Sequence, residues 1–336
     1  MDMIGSIIFI AGLITLLIGA EMVLRGASKF AVIMGVKPLI IGLTIVSIGT
    51  SAPELAVGIT ASLQGSGSLA VANIAGTNLV NILFILGLSA LIQPLPLQLQ
   101  TLKLDLPMIV VAAILMTVLA WDGTLSRLDG VLMLGVAVLY TLAVVRFSKN
   151  ESQAVAKQFE DMCGIDAKET CNIDAAASKQ RIMKTKMKYA LILAIGIVIT
   201  VIGANWLVNG AIGIARSLNV SEVIIGLTIV AIGTSSPELV TTIISTIRND
   251  RDVAVGNLLG SSIYNILVIL SLTCMVSPGG LPVERQLLWL DIPLMLGVAL
   301  ICVPVFLSGN RISRVEGGIG VAIYIIYLFW IINSRA

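Results

Sequence analysis

Apolar positions along the chain gather into long runs rather than alternating with polar ones, at about 3–24, 38–62, 70–92, 104–121, 128–145, 187–214, 222–246, 253–276, 287–307 and 317–333. Each run holds the roughly 20 residues with which an α-helix crosses about 30 Å of hydrocarbon, and the lack of alternation excludes a transmembrane β-barrel. The pattern predicts an all-α polytopic membrane protein of ten transmembrane helices. Composition agrees: 57% of the 336 residues are hydrophobic and 12% are charged, about half the charged fraction of a soluble domain. A water-soluble enzyme of this length would lack a polar exterior. The first run is not expected to be a cleaved signal, since Met1-Asp2-Met3 supplies no basic region and Glu21 and Arg25 follow the apolar stretch.

Charge decides the expected orientation. With the amino terminus outside, the inner connections hold 17 of the 21 basic residues, and Arg127, Arg216, Arg285 and Arg335 remain outside. The positive-inside rule therefore predicts both termini outside and a cytoplasmic loop at 147–186. That loop leans acidic from Glu151 to Asp174 and turns basic at Lys179, Arg181, Lys184, Lys186 and Lys188. It reads as a solvated tether.

The chain also repeats itself. Shifted by 184 residues, IIGLTIVSIGTSAPEL (Ile40 to Leu55) matches IIGLTIVAIGTSSPEL (Ile224 to Leu239) at fourteen of sixteen positions. The same shift pairs AVANIAGTNLVNILFIL (Ala70 to Leu86) with AVGNLLGSSIYNILVIL (Ala254 to Leu270). Further on, Asp105-Leu106-Pro107 answers Asp291-Ile292-Pro293, and Ser126 to Gly130 answers Ser313 to Gly317. The expected organisation is a first repeat at 1–146, the 147–186 loop, and a second repeat at 187–336. Five helices per repeat is an odd number, so the copies should be inverted, the architecture of secondary transporters with a site near mid-membrane.

Candidate chemistry sits in the repeated motif. Pro53 and Pro237 cannot donate a backbone hydrogen bond, so the carbonyls of Gly49 and Gly233 should be released inside the membrane. Glu54 and Glu238 lie far from any helix end, with no lysine or arginine in the same spans. Two facing carboxylates at that depth need a cation, and hard oxygen ligands suit calcium. Asn73, Thr77 and Asn81 share one helix face, as do Asn257, Ser261 and Asn265, and their neutral oxygens suit sodium. The chain has no histidine, which removes the commonest transition-metal ligand. Of the four cysteines, Cys163 and Cys171 have no metal-ligand spacing and Cys274 and Cys302 fall in apolar runs, so all are expected to be unpaired.

At these motifs the sequence resembles the cation/calcium exchanger superfamily, and most of all its prokaryotic sodium/calcium exchangers. The resemblance covers the whole chain. It implies a sodium/calcium antiporter without cofactor or enzymatic activity, whose substrates are calcium and sodium ions, in the cell membrane. It implies no nucleic acid and no obligatory protein partner. By position, Glu54 and Glu238 would bind calcium with the carbonyls of Thr50 and Thr234. Sodium would use the same acids with Thr50, Ser51, Thr77 and the Ser47 carbonyl, and with Thr234, Ser235, Ser261 and the Ala231 carbonyl. Asn81 and Asn265 would line the centre, Asn265 standing where some relatives carry an aspartate. A proton/calcium antiporter on the same scaffold and, less favoured, a calcium-permeable channel are the alternatives.

Overall fold

The computed structural model describes residues 3–34, 38–65, 67–163, 175–217 and 231–335. The long helices are α1 (Met3–Met34), α2 (Gly42–Thr50), α3 (Ala52–Leu63), α4 (Gly67–Ile92), α5 (Thr101–Asp122), α6 (Arg127–Cys163) and α7 (Ala175–Ser217). After these come the short α8 (Ala231–Thr234) and then α9 (Ser236–Ile247), α10 (Arg251–Val276), α11 (Leu287–Leu307) and α12 (Arg314–Arg335). Among the described residues eight helices are long and apolar enough to span a membrane, and α2 with α3 form a ninth span bent by 46°. The expected span at 222–246 lies partly outside the described residues, α8 and α9 being its described part.

The apolar runs become helices whose outer faces stay apolar, with Leu128, Leu139, Val315 and Ile326 more than two-thirds exposed. Such a surface suits lipid. Trp121 and Trp289 pack against each other at 6.1 Å between ring centroids, both largely exposed, as aromatic side chains do at a membrane boundary. The helices α4 and α10 are buried over most of their length and form the centre.

The expected polar loop at 147–186 is helical where it is described. From Phe147 to Cys163 the sequence contains no Gly or Pro and holds Ala, Gln, Lys and Glu, so α6 continues past its apolar stretch, and α7 starts at Ala175.

Helices α1 and α7 pack antiparallel along their length through glycines at seven-residue spacing. A Cβ on Gly19 would stand 2.5 Å from the Thr200 nitrogen, on Gly26 2.7 Å from that of Leu193, and on Gly196 2.8 Å from that of Val23. Gly12 meets Leu207, Gly203 meets Leu16 and Gly210 meets Phe9 in the same way. Only a residue without a side chain permits backbones this close.

Two short ribbons tie the helix ends. The strand β1 (Leu95–Pro96) and the strand β4 (Arg311–Ile312) pair antiparallel, and β2 (Thr124–Leu125) pairs with β3 (Leu281–Pro282). The length of α5, about 33 Å at 1.5 Å per residue, separates β1 from β2. The β1–β4 end also joins Gln98 to Asp252 (2.6 Å), Arg314 to the Ile92 carbonyl (3.3 Å) and Arg248 to Glu21 (2.6 Å). The β2–β3 end joins Ser68 to the Pro282 carbonyl (3.1 Å) and Arg127 to the Ser277 carbonyl (2.9 Å).

Matched sequence segments form matched local structures. Ser126 and Ser313 each donate from backbone and hydroxyl to Asp129 or Glu316 at 2.7 Å, which caps α6 and α12 alike. Asp105 accepts from the Tyr140 hydroxyl at 2.9 Å and Asp291 from that of Tyr327 at 2.8 Å, bracing α5 to α6 and α11 to α12. Five-residue π-helical turns end at both aspartates, Thr101–Asp105 and Leu287–Asp291.

Candidate ion-binding site

The helix carrying the first motif stops at Ser51 (φ −79°, ψ 11°) and the second at Ser235 (φ −84°, ψ 5°), the same backbone break twice. Proline at the second position of the following helix fixes where each restarts, since its ring suits a first turn and not a helix interior. Glu54 and Glu238 therefore fall in the first turns of α3 and α9, where backbone N–H groups favour negative charge.

Both carboxylates are fully buried, close enough for their charges to repel directly. Glu238 accepts hydroxyl hydrogen bonds from Ser51 and Ser261, each at 3.3 Å on Oε1, so one ligand comes from each half of the chain. Among the described residues, its Oε2 and both oxygens of Glu54 accept no hydrogen bond. Among the described residues no lysine or arginine forms an ion pair with either.

More unpartnered polar atoms surround them. Thr77 Oγ1, Ser235 Oγ and both amide atoms of Asn81 and of Asn265 are buried without a hydrogen bond to any described residue. Asn81 lies in a π-helical turn, Val80–Ile85, and Asn265 opens another, Asn265–Leu270. The wider turn interrupts the regular ladder, a device common at functional sites. The oxygens gathered in this apolar interior are hard donors of the kind an alkali or alkaline-earth cation takes. No cluster of three His, Cys, Asp or Glu side chains exists among the described residues, and the donors are oxygens, which suit alkali and alkaline-earth ions rather than transition metals.

The structure places the remaining sequence candidates as follows. Thr50 is buried and its hydroxyl donates to the Ser47 carbonyl at 3.3 Å and to Asn257 Oδ1 at 3.4 Å. The Ser47 carbonyl also accepts from the Ser51 nitrogen at 3.1 Å, so its two lone pairs are used. The Gly233 carbonyl accepts from the Ser236 hydroxyl at 2.6 Å, whereas Ala52 holds the matching place beside Gly49. Thr234 is buried, and Ala231 begins α8, its side chain outside the described residues.

Asn257, grouped by its helix face with Ser261 and Asn265, does other work. It donates to Thr241 at 3.0 Å and Thr242 at 3.3 Å, and its carbonyl accepts from Ser47 at 3.0 Å. It bridges the halves behind the carboxylates. The hydroxyl pair Thr241 and Thr242 was not singled out by sequence because its matching positions are Val57 and Gly58, so no repeat marked it.

A family model described as sodium/calcium exchanger protein matches residues 4–146 and 188–333. The inner membrane protein YrbG of Escherichia coli is 33% identical, the match covering 98% of this chain and 96% of that one. The sodium/calcium exchanger MaX1 of Methanosarcina acetivorans is 31% identical, covering 97% of each. The solved structure of the sodium/calcium exchanger from Methanococcus jannaschii superposes with a TM-score of 0.78 at 27% identity, covering 98% of both chains.

Proposed function

Since the chain belongs to the sodium/calcium exchanger protein family, we propose that it is a membrane antiporter that exchanges sodium for calcium, with calcium leaving the cell as sodium enters. The observation that carries this reading is the pair of fully buried carboxylates, Glu54 and Glu238, meeting across the two halves with three of their four oxygens unpartnered among the described residues.

Calcium takes both carboxylates, with the Thr50 and Thr234 carbonyls beside them. One calcium ion or two sodium ions balance the two negative charges. Sodium shares the acids and adds the hydroxyls of Thr50, Ser51, Thr77, Thr234, Ser235 and Ser261, with the Ser47 and Ala231 carbonyls. For Ser47 this requires the Thr50 hydroxyl to turn away, because that carbonyl already accepts two hydrogen bonds. Asn81 and Asn265 hold the centre through neutral amides. An amide at 265 leaves only two acids in the core, which argues against potassium as a co-substrate.

The ions compete for the same oxygens, and that competition couples the two flows. With no ion bound, two bare carboxylates in a dry interior oppose the rearrangement that would return the site empty. Occupancy by either ion removes the repulsion and lets α1 and α7 slide over the core to open the other side.

The proposed arrangement is ten helices in two inverted five-helix repeats, 1–146 and 187–336, joined through 147–186. Pairing of β1 with β4 supports it: strands that pair lie on one side of the membrane, so an even number of crossings separates them. Five described spans lie between them, and the segment at 222–246 supplies the sixth. Orientation follows from charge. Arg248, Arg251, Arg311 and Arg314 cluster at the β1–β4 end and Arg127 and Arg285 at the other, so the β1–β4 end faces the cytoplasm and both termini face outward.

The test is calcium-45 uptake into proteoliposomes under imposed sodium, potassium or proton gradients. Uptake should follow outward sodium gradients and ignore potassium. Uptake driven by a pH gradient and indifferent to internal sodium would make the protein a proton/calcium antiporter instead.

A further inference from the structure

We propose that a basic pocket at the β1–β4 end, between α1, α7 and the turn from α9 into α10, binds the phosphate headgroup of an anionic membrane lipid. The pocket has a volume of about 670 Å³, and its polar wall is Arg25, Ser28 and Lys29 of α1, Lys188 of α7, and Arg248 and Asp250 of the turn. Arg25, Ser28 and Lys29 stand three and four residues apart and so share one helix face. The antiparallel contact of Gly26 with Leu193 brings Lys188 to within about a turn of Lys29. Between Arg248 and Asp250, Asn249 takes φ 63°, a left-handed conformation that asparagine tolerates and that turns the chain sharply.

The charges in this pocket do not cancel. Glu21, just behind it, is ion-paired with both Arg25 and Arg248. Lys29 and Lys188 are exposed and form no ion pair among the described residues. Lys188 stands 5.8 Å over the ring of Tyr189, a contact that neutralises no charge. With Glu21 and Asp250 both ionised, four cations against two acids leave a surplus of two positive charges. The Ser28 hydroxyl, on the same wall, makes no hydrogen bond to any described residue.

The repeat shows that the fold does not require this group. At the 184-residue shift, Glu21, Arg25 and Lys29 correspond to Asn205, Asn209 and Gly213, and Lys188, Arg248 and Asp250 to Ile4, Gln64 and Ser66. Every charge has a neutral counterpart at the opposite end of the molecule. A preference for basic residues on one side of the membrane explains their sign. It does not explain their convergence from three segments on one cavity, since any exposed position at that end would serve it equally.

The surroundings select a lipid. Basic pockets between membrane helices at this level suit phosphate headgroups, and Met22, Leu24 and Ile192 give the cavity an apolar side. Three and seven residues along α7 from Lys188, on the same face, Leu191 and Ile195 are 57% and 41% exposed, which offers acyl chains an apolar surface below the headgroup. The pocket joins α1 and α7 to the end of α9. A bound headgroup therefore favours the packing described here over any in which that helix pair has moved.

The test uses purified full-length protein in neutral detergent, calcium-free and at one ionic strength. Dioctanoyl phosphatidylglycerol should raise the thermal midpoint, and dioctanoyl phosphatidylcholine and inorganic phosphate at equal concentration should not. Lys29→Gln with Lys188→Gln should raise the half-saturating concentration roughly 30-fold, the loss of two basic groups at a lipid surface. Lys103→Gln with Arg146→Gln removes two exposed cations from the same end away from the pocket and should leave it unchanged. Native mass spectrometry of the unaltered chain should retain phosphatidylglycerol over phosphatidylcholine, a reading that needs no variant. Equal effects of the two lipids would overturn the proposal, as would equal weakening by the two double variants, which would mean diffuse surface charge. An equal rise with inorganic phosphate would make this a free-anion site and overturn the lipid. None of these readings involves transport, so they stand or fall apart from the ions exchanged.

Discussion

The contact between the motif and the helix pair packed against it can be tested with one methyl group. Gly49, the first residue of the Gly-Thr-Ser motif, faces Ile197 on α7, and a Cβ placed there would stand 2.6 Å from Cδ1, 2.9 Å from Cγ2 and 3.1 Å from Cγ1. Ordinary contact begins near 3.4 Å by the spacing of carbon atoms. The nearest gap is thus short by roughly 1 Å, and three atoms are involved at once. Rotation about χ2 can carry Cδ1 away, but isoleucine in a helix has essentially one χ1 rotamer, so Cγ2 and Cγ1 stay in place. Gly49→Ala must therefore push α7 away or strain the side chain, at about 1–3 kcal/mol. A destabilisation of that size lowers the thermal midpoint by a few degrees; if it falls on the sliding step, it slows exchange roughly 5- to 150-fold. Ile197→Ala removes all three obstructing atoms, so the double variant should regain both stability and rate relative to Gly49→Ala. The measurements are thermal unfolding in detergent and initial sodium-dependent calcium-45 flux in proteoliposomes. An unaffected Gly49→Ala protein, or a double variant whose losses simply add, would refute the reasoning.

Glu54→Gln and Glu238→Gln should each abolish calcium flux, and normal flux in either would remove that residue from the site. Ser51→Ala and Ser261→Ala each delete one hydroxyl donor to Glu238; with hydrogen bonds to a charged group worth about 1.5–3 kcal/mol, the sodium concentration for half-maximal flux should shift by about tenfold or more, measured by titrating sodium against calcium-45 exchange. Asn265→Asp adds a third acid to the core and should introduce a potassium requirement, read from flux with and without potassium. In a chain cleared of its own cysteines, an impermeant thiol reagent applied to whole cells should label Ser126→Cys and spare Ser313→Cys; the reverse pattern would invert the orientation.

Much of this molecule was legible because its chemistry is written twice. Glu54 and Glu238, the proline breaks and the asparagine faces each recur at a fixed shift, and the two backbone breaks at Ser51 and Ser235 agree to within a few degrees. What escaped the sequence is what depends on distant packing. The Asp105–Tyr140 bond joins residues 35 apart, and nothing local in either segment announces it. The π-helical turns open on residues as different as Gly42, Val80, Thr101, Asn265 and Leu287, so no residue type marks their start. The ribbons are two residues long and contain proline, too short for any periodicity to register. Asn257 shares a face with Ser261 and Asn265, yet close approach of the halves gives it four protein partners, Ser47, Thr50, Thr241 and Thr242, and turns it into a bridge.

The glycine seam between α1 and α7 has a further consequence. Gly12 meets Leu207 and Gly196 meets Val23; Gly26 meets Leu193 and Gly210 meets Phe9. Each contact is made a second time with the roles of the helices exchanged, and the ribbons obey the same rule, β1 with β4 and β3 with β2. Such an interface is isologous, the kind a two-fold homodimer makes from one self-complementary surface. One patch of sequence therefore serves on both sides of the joint, and a change that suits the joint in one half meets its partner's unchanged copy in the other. Away from the seam the halves can diverge, as Val57 and Thr241 have done, while the seam holds them to a shared geometry that neither can alter alone.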